Sequence, residues 1–384
     1  MRRISLLLIT RNIHTHSSMS RIESLTPIHI NLGTRSYDIR FDSLASLPAL
    51  LGSLELSAGP CLVVSDENVA RLYGEDLIRV LGGGGWAPFP LTIPPGEASK
   101  SMERLSWLYD KALTHGIDRS TPLLAFGGGV VGDVGGFAAA TLLRGLPLIQ
   151  IPTTLIAQVD SAIGGKTGIN HVTGKNLLGS FFQPRLVLTD PQILRTLPDR
   201  EWSSGLAEVV KHALIADASF FSYIEERWDD IIRRDDAVVP LLVRRAAGVK
   251  AGVVEKDERE AGLRAVLNFG HTFAHSLERV AGYGVFSHGE AVASGMRAAL
   301  HLSQSRHPRL DFTRADELVS RIPVPAGLHD LTVPALMEGM QADKKAEGGR
   351  LRFVLLDEIG HAYVAGDVDA ASVEAAWNHV IEAV

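Results

Sequence analysis

The stretch that most constrains this chain is Phe126-Gly-Gly-Gly-Val-Val-Gly-Asp-Val-Gly-Gly-Phe137, which follows the apolar run Thr121–Phe126. An apolar run of that length bounded by glycine reads as a buried parallel strand. Six of the next ten residues, 127–136, are glycine, which lets backbone approach a ligand closely, and Val130–Thr141 predicts a helix. Strand, tight turn and helix N-terminus together aim amide N–H groups and a helix dipole at one spot, a setting that favours a phosphate. The spacing is not the G-x-G-x-x-G fingerprint, and no acidic residue stands about 20 positions on, where that fingerprint would place one. A glycine turn that only packs helix on strand has the same local pattern, so the rest of the chain has to decide.

Further strand-like runs are Tyr37–Phe41, Pro60–Ser65, Leu146–Ile151 and Arg185–Asp190. They alternate with helical segments, such as the one through Leu105, Leu108, Tyr109 and Leu113, and predict a parallel sheet with ligands at the strand C-termini. Gly82–Gly85 reads as a loop. So does the polar, glycine-rich passage Asp160–Asn170 that runs on through Gly174-Lys-Asn176, and a loop of that length is usually functional. From about residue 198 amphipathic helical segments take over until Leu351–Val364, read as a hairpin turning at Glu358-Ile-Gly360. The expected organisation is an α/β domain over residues 19–195 and a mainly helical domain over 196–384, preceded by an extension, residues 1–18.

In that extension Arg2, Arg3 and Arg11 flank Ile4–Ile9, and no acidic residue precedes Glu23. The run is short, Arg11 interrupts it and no small-residue cleavage site follows, which argues against a secretory signal. An organelle transit peptide shares this composition; the plainest reading is an upstream start codon, with Met19 opening the protein in the cytoplasm. The 384 residues carry a formal charge of −6 with no basic patch, which argues against a nucleic-acid binder. No run reaches the length of a membrane span. The single cysteine, Cys61, excludes an intramolecular disulfide and a multi-thiolate zinc site, so a metal would need His, Asp or Glu.

Candidate chemistry is spread along both halves. Asp66 ends a strand, where a carboxylate either accepts from a ribose hydroxyl, favouring NAD over NADP, or caps the next helix. Lys166 and Lys175 beside glycines suit an anion. Glu208, Lys211 and His212 fall on one side of a helix, His271 and His275 share a helical face, and His288 sits in a polar turn. Contact between these segments would make a zinc site with an open position; without it, Glu208 and Lys211 are an ion pair on a solvated helix face. Lys211, Lys250, Arg264 and Lys344–Lys345 add more cations than a nucleotide needs, a local funnel for an anionic substrate. The sum is a dinucleotide site, a catalytic metal and an anionic substrate, hence metal-assisted hydride transfer.

At these motifs the chain resembles the 3-dehydroquinate synthase family of the sugar-phosphate cyclase superfamily. The resemblance spans about residues 60–360 and rests on Pro95-Gly-Glu-Ala-Ser-Lys100, Gly127-Gly-Gly-Val-Val-Gly-Asp133, Pro152-Thr-Thr154, Asp160-Ser-Ala-Ile-Gly-Gly-Lys-Thr-Gly-Ile-Asn170, Gly174-Lys-Asn176, Gly205-Leu-Ala-Glu-Val-Val-Lys-His212, Asn268-Phe-Gly-His-Thr-Phe-Ala-His275, Ser287-His-Gly-Glu290 and Asp343-Lys-Lys345. It implies a Rossmann-like parallel-sheet NAD-binding domain, an all-helical C-terminal domain, a cleft between them and a homodimer. It also implies a lyase of the shikimate pathway acting on a small sugar-acid phosphate, with NAD and Zn2+ or Co2+ as cofactors.

The resemblance puts metal ligands on Glu208, His271 and His288. It puts NAD contacts on Asp66, Asn68, Glu97, Lys100, Gly128, Gly129, Val130, Asp133, Thr153, Thr154, Lys175 and Thr196, with Asp160 at the nicotinamide end beside Lys166. Substrate contacts fall on Lys166, Asn176, Lys211, Lys250, Arg264, Asn268, His275 and the Lys344–Lys345 pair, and Arg144 matches an arginine lent by a partner subunit. Three rivals remain: a cyclase for substrates lacking a carboxylate, a metal-dependent NAD polyol dehydrogenase that releases NADH, and a non-catalytic sensor on the same fold. Lys250, Arg264 and Asn268 together favour the carboxylate-bearing substrate, as does the number of substrate-side cations.

Overall fold

The computed structural model describes residues 25–282, 284–324, 327–346 and 351–382, with the side chains of 342–346 outside that description. Residues 1–18, read above as an extension, lie outside the described residues. The central sheet has seven strands: β1 (Leu25–Ile30), β2 (Tyr37–Phe41), β3 (Pro60–Asp66), β4 (Ala87–Ile93), β5 (Leu123–Gly127), β6 (Leu148–Pro152) and, after a separate hairpin, β9 (Leu186–Thr189). Their order is β1-β2-β9-β6-β5-β3-β4. All neighbours run parallel except β1 and β2.

This order places the ligand crevice. From β3 the chain passes to β4 on one side, and from β5 it passes to β6 on the other. The connections therefore diverge between β3 and β5, leaving an opening beyond their C-terminal ends. Ser65 pairs with Phe126 there, so Asp66 and Gly127 leave the sheet side by side. The helix Gly129–Thr141 starts two residues after Gly127, with Gly128 as its N-cap. It lies close on the sheet because it lacks bulk: a Cβ at Gly135 would come within 3.2 Å of Ala125 Cβ.

Three expectations are corrected. The passage after Asp160 is not a loop: it forms a π-helical turn, Ala157–Ser161, and then an antiparallel hairpin of β7 (Lys166–His171) and β8 (Gly174–Phe181). Gly168 and Gly179 face each other so closely that a Cβ on Gly179 would stand 2.2 Å from Thr167 O; the glycines that imitate a loop permit the pairing. Gly82 and Gly83 belong to the helix Glu75–Gly83, which ends in a turn at Gly84. Two strands have no counterpart in the reading above, β1 and β4. The second carries Pro88 and Pro90, which a sheet tolerates at an edge.

Beyond residue 198 the chain is helical except for the expected late hairpin, β10 (Phe353–Glu358) with β11 (His361–Ala365). The largest apolar cluster joins Ile30, Tyr37, Ile39 and Phe41 of β1 and β2 to Leu206, Val210, Val243 and Ala247 of the helices Asp199–Ala216 and Val239–Lys256. The antiparallel edge of the sheet is thus packed into the helical half.

Candidate active site

Glu208, His271 and His288 come from three helices that meet through glycine. Gly289 opens the helix His288–Arg306 against Ser204, so near that a Cβ would lie 2.2 Å from Ser204 O and 2.3 Å from its Cα. A Cβ on Gly295 would lie 2.1 Å from Gly270 O, and Gly270, at φ 80°, makes the turn into the helix that His271 begins. These approaches bring His288 Nε2 within 3.4 Å and His271 Nε2 within 3.8 Å of Glu208 Oε1.

Glu208 is 1% exposed, and neither of its oxygens makes a directed hydrogen bond. The Lys211 ammonium nevertheless stands against Oε2, one turn along the same helix. Burial works to raise the Glu208 carboxyl, but Lys211, His288 and His271 outweigh it and hold the group far below the usual carboxylate range. Burial likewise works to lower His288; Glu208 and Glu278 overcome it, and the ring is pushed up to about 9. A buried carboxylate whose Oε1 faces two imidazoles, with no directed hydrogen bond there, fits a divalent cation. Asp160, Glu208 and His212 form a second carboxylate–imidazole trio, but there Asp160 Oδ1 is already paired with Lys250 Nζ at 2.7 Å.

At the other end, the glycine turn faces Thr153 and Thr154. A Cβ on Gly128 would touch Thr154 Cγ2 at 3.0 Å and one on Gly129 would touch Ser161 Oγ at 3.0 Å, so only bare backbone fits between these side chains. Thr153 Oγ1 is buried without a hydrogen-bond partner. Asp66 caps the short helix Glu67–Val69, accepting from Asn68 N at 2.9 Å and Val69 N at 3.1 Å through Oδ1 alone. Thr196 Oγ1 meets Tyr73 OH at 2.7 Å. Lys100 Nζ lies 2.7 Å from Asp133 Oδ2, 3.6 Å from Glu97 Oε1, and against Asn176 Oδ1. Val130 lies in the first turn of the Gly129–Thr141 helix.

Among the substrate-side residues, Lys166 pairs with Glu260, and Lys175 lies 3.6 Å from Glu278. Arg264 is buried, with Nη1 donating to Glu258 O at 2.6 Å, while its Nε has no partner. Asn268 ends the turn Leu263–Asn268, the segment that also carries Arg264. The His275 ring meets that of His271 edge-on at 5.8 Å. Arg144 is exposed at the end of the turn Leu142–Arg144. Lys344 and Lys345 fall on the helix Val333–Ala346, and their side chains lie outside the described ones.

Two residues that the motifs do not single out belong here. Glu278 contacts His288 Nδ1 at 3.9 Å as well as Lys175, and it continues the His271–His275 face by one more turn. Glu260 contacts Lys166; its only signal was the acidic run Asp257-Glu-Arg-Glu260 after the helix that carries Lys250.

Comparison with known proteins fits this geometry. Residues 90–204 match the family description "3-dehydroquinate synthase N-terminal", and residues 205–346 match "3-dehydroquinate synthase C-terminal". A 3-dehydroquinate synthase of Salinibacter ruber is 56% identical over 352 residues, covering 91% of this chain and 96% of its own. The chain belongs to the 3-dehydroquinate synthase family. Its fold is that of the wider group of cyclases. The 2-epi-5-epi-valiolone synthase ValA of Streptomyces hygroscopicus, solved with NAD+ and Zn2+ bound, superposes with a TM-score of 0.83 at 31% identity, covering 95% of this chain and 100% of ValA. A 2-deoxy-scyllo-inosose synthase complexed with carbaglucose-6-phosphate, NAD+ and Co2+ gives 0.79 at 25% identity, covering 92% and 99%. Against a 3-dehydroquinate synthase the identity is thus far higher than against either of these other cyclases.

Proposed function

We propose that this chain converts 3-deoxy-D-arabino-heptulosonate 7-phosphate to 3-dehydroquinate and phosphate in the shikimate route to chorismate and the aromatic amino acids. The observation that carries this reading is the meeting of Glu208, His271 and His288 beside Lys211, Lys250 and Asp160. That cluster combines metal ligands with cations for an anionic substrate. NAD and a zinc or cobalt ion would complete the site, the ion held by Glu208, His271 and His288: bound there, NAD would supply reversible hydride transfer at C5 and the ion a Lewis acid for the C4 and C5 hydroxyls.

The residues present fit both groups. Gly128, Gly129 and Val130 offer backbone N–H groups to a pyrophosphate at a helix N-terminus, and Asp66 has Oδ2 left for a ribose hydroxyl. Asn68, Glu97, Lys100, Asp133, Thr153, Thr154, Lys175 and Thr196 complete the nucleotide side, with Asp160 at its reactive end. Lys166, Asn176, Lys211 and a partner subunit's Arg144 hold the phosphate. Lys250, Asn268 and the free Nε edge of Arg264 hold the carboxylate, a planar fork meeting a planar anion. Once C5 is a ketone, the C6 proton is acidic; it passes to a phosphate oxygen as the C7–oxygen bond breaks. His275 orients water or relays a proton at the substrate. Ring opening and an intramolecular aldol step then close the carbocycle.

A cytoplasmic homodimer, with the chain divided near residue 195, completes the proposal. The β7–β8 hairpin supports the dimer by exposing Val172, Leu177 and Phe181. The test is phosphate release from the heptulosonate phosphate with catalytic NAD, before and after chelation. The expected result is stoichiometric phosphate without NADH build-up, lost on chelation and restored by zinc or cobalt. NADH build-up without phosphate would instead indicate a polyol dehydrogenase, and turnover only of a neutral sugar phosphate would indicate another cyclase.

A further inference from the structure

Lys166, assigned above to the substrate's phosphate, is engaged by a carboxylate of the chain itself. Glu260 lies between the helix Val239–Lys256 and the turn Leu263–Asn268. Its carboxylate pairs with Lys166 Nζ and lies in the field of Arg264.

This placement is enforced. Asp257 pins the segment by accepting the N–H groups of Ala261 at 2.8 Å, Gly262 at 2.8 Å and Arg264 at 2.9 Å. Glu260 itself has φ 60°, the left-handed region that is unfavourable for a residue with a side chain. Strain kept at one charged residue of a site marks a position under functional constraint. The chain therefore holds an anion where the substrate's phosphate has to bind.

We propose that Glu260 is a built-in competitor for the phosphate site. In the ligand-free chain its carboxylate occupies Lys166. The incoming phosphate displaces it, and it returns as the product phosphate departs. A carboxylate carries one negative charge and a phosphate monoester nearly two at neutral pH, so a dianion displaces it where singly charged anions do not. The same return contact weakens the hold on inorganic phosphate, the leaving product. The proposal rests on the phosphate-binding reading of Lys166 and adds to it a partner that opposes binding.

The test is calorimetric titration of inorganic phosphate into the NAD-loaded full chain, comparing wild type, Glu260→Gln, Lys166→Ala and the double variant. Glutamine keeps the size and hydrogen bonding and removes the charge. Glu260→Asn, a residue type that accepts positive φ, takes its place if the first variant does not fold. Removing one half-exposed ion pair is expected to tighten phosphate binding about fivefold, and the gain should vanish in the Lys166→Ala background. Unchanged or weaker binding overturns the proposal, and so does a gain that persists without Lys166. Phosphate release by the wild type is measured alongside. Turnover with unchanged phosphate affinity in Glu260→Gln overturns the competitor alone. Absence of both turnover and phosphate binding overturns the phosphate-site reading and the competitor with it.

Discussion

His212 is wholly buried beside the metal trio, and its protonation is set by its surroundings. Its Nδ1 lies 3.1 Å from Ala246 O, and a carbonyl only accepts, so Nδ1 carries the proton. Burial lowers the ring's pKa and Lys211 lowers it further, while Asp160 at 3.5 Å opposes both without cancelling them. The folded chain therefore keeps His212 neutral, whereas the unfolded chain takes up a proton near pH 6.5. Below that pH the unfolded state binds more protons, so this contribution to stability is present above pH 6.5 and lost as pH falls. The slope is at most about 1.4 kcal/mol per pH unit for one proton. His271 is lowered in the same way and acts with the same sign. His288, raised to about 9, acts oppositely: its contribution is full below 6.5 and lost as pH rises through 9. Chelated wild type should lose stability between pH 7.5 and 5.5 in denaturant melts, and His212→Gln should lose measurably less; parallel losses would contradict the assignment. Glu208, His271 and His275 were legible as residues because helical spacing puts them on defined faces, and His288 because it stands in a polar turn before a helix. Their convergence was not legible, since it depends on backbone crossings that no spacing encodes. Glu260 was hidden because it lies on an irregular segment, where periodicity carries no information.

At the scale of elements, the meeting of Glu208, His271 and His288 depends on how closely three helices cross. Gly289→Ala would set a Cβ within 2.6 Å of Ser204 O, Cα and C, all backbone atoms that cannot rotate away. The helices Asp199–Ala216 and His288–Arg306 would have to separate, at an overpacking cost of about 1–3 kcal/mol. Zinc affinity should fall by roughly tenfold or more, as when groups that orient metal ligands are lost. Thermal melts and zinc titrations check both, and a variant with native zinc affinity would show that the crossing does not set the site. The buried parallel strands β3, β5, β6 and β9 were readable because continuous apolar runs between turns have few other uses. The β7–β8 hairpin was not, because Gly168 and Gly179 remove the alternating side chains that mark paired strands. β4 was obscured by Pro88 and Pro90, which count against a strand in any sequence reading.

At the scale of the whole molecule, the turn Leu142–Arg144, buried at Leu142 and exposed at Arg144, is unusual. Leu143 and Arg144 have φ of 50° and 71°, two successive side-chain-bearing residues in the left-handed region. Such a turn fixes the direction in which Arg144 leaves the surface. If a partner subunit's Arg144 completes each site, Arg144→Ala and Lys250→Ala should both be nearly inactive alone. Mixed after co-refolding, they should recover up to about a quarter of wild-type turnover, because half the dimers would carry one intact site. No recovery would mean that Arg144 acts within its own chain. The helical second half was evident from the change in texture near residue 198, but its union with β1 and β2 in one core was not, since that contact joins residues about 200 positions apart.

The two ends of the central sheet are closed by different means. On β4, prolines at alternate positions 88 and 90 share one side of the strand and donate no hydrogen bonds. On the opposite end, the helix Val239–Lys256 lies over β1, with Arg244 Nε donating to Thr26 O at 2.9 Å. Neither end offers the unbroken row of donors and acceptors that recruits a further strand. Among the described residues, the seven-stranded sheet is therefore a poor template for its own copies, and in a dense solution of folded chains its two ends are not where a fibre would be seeded.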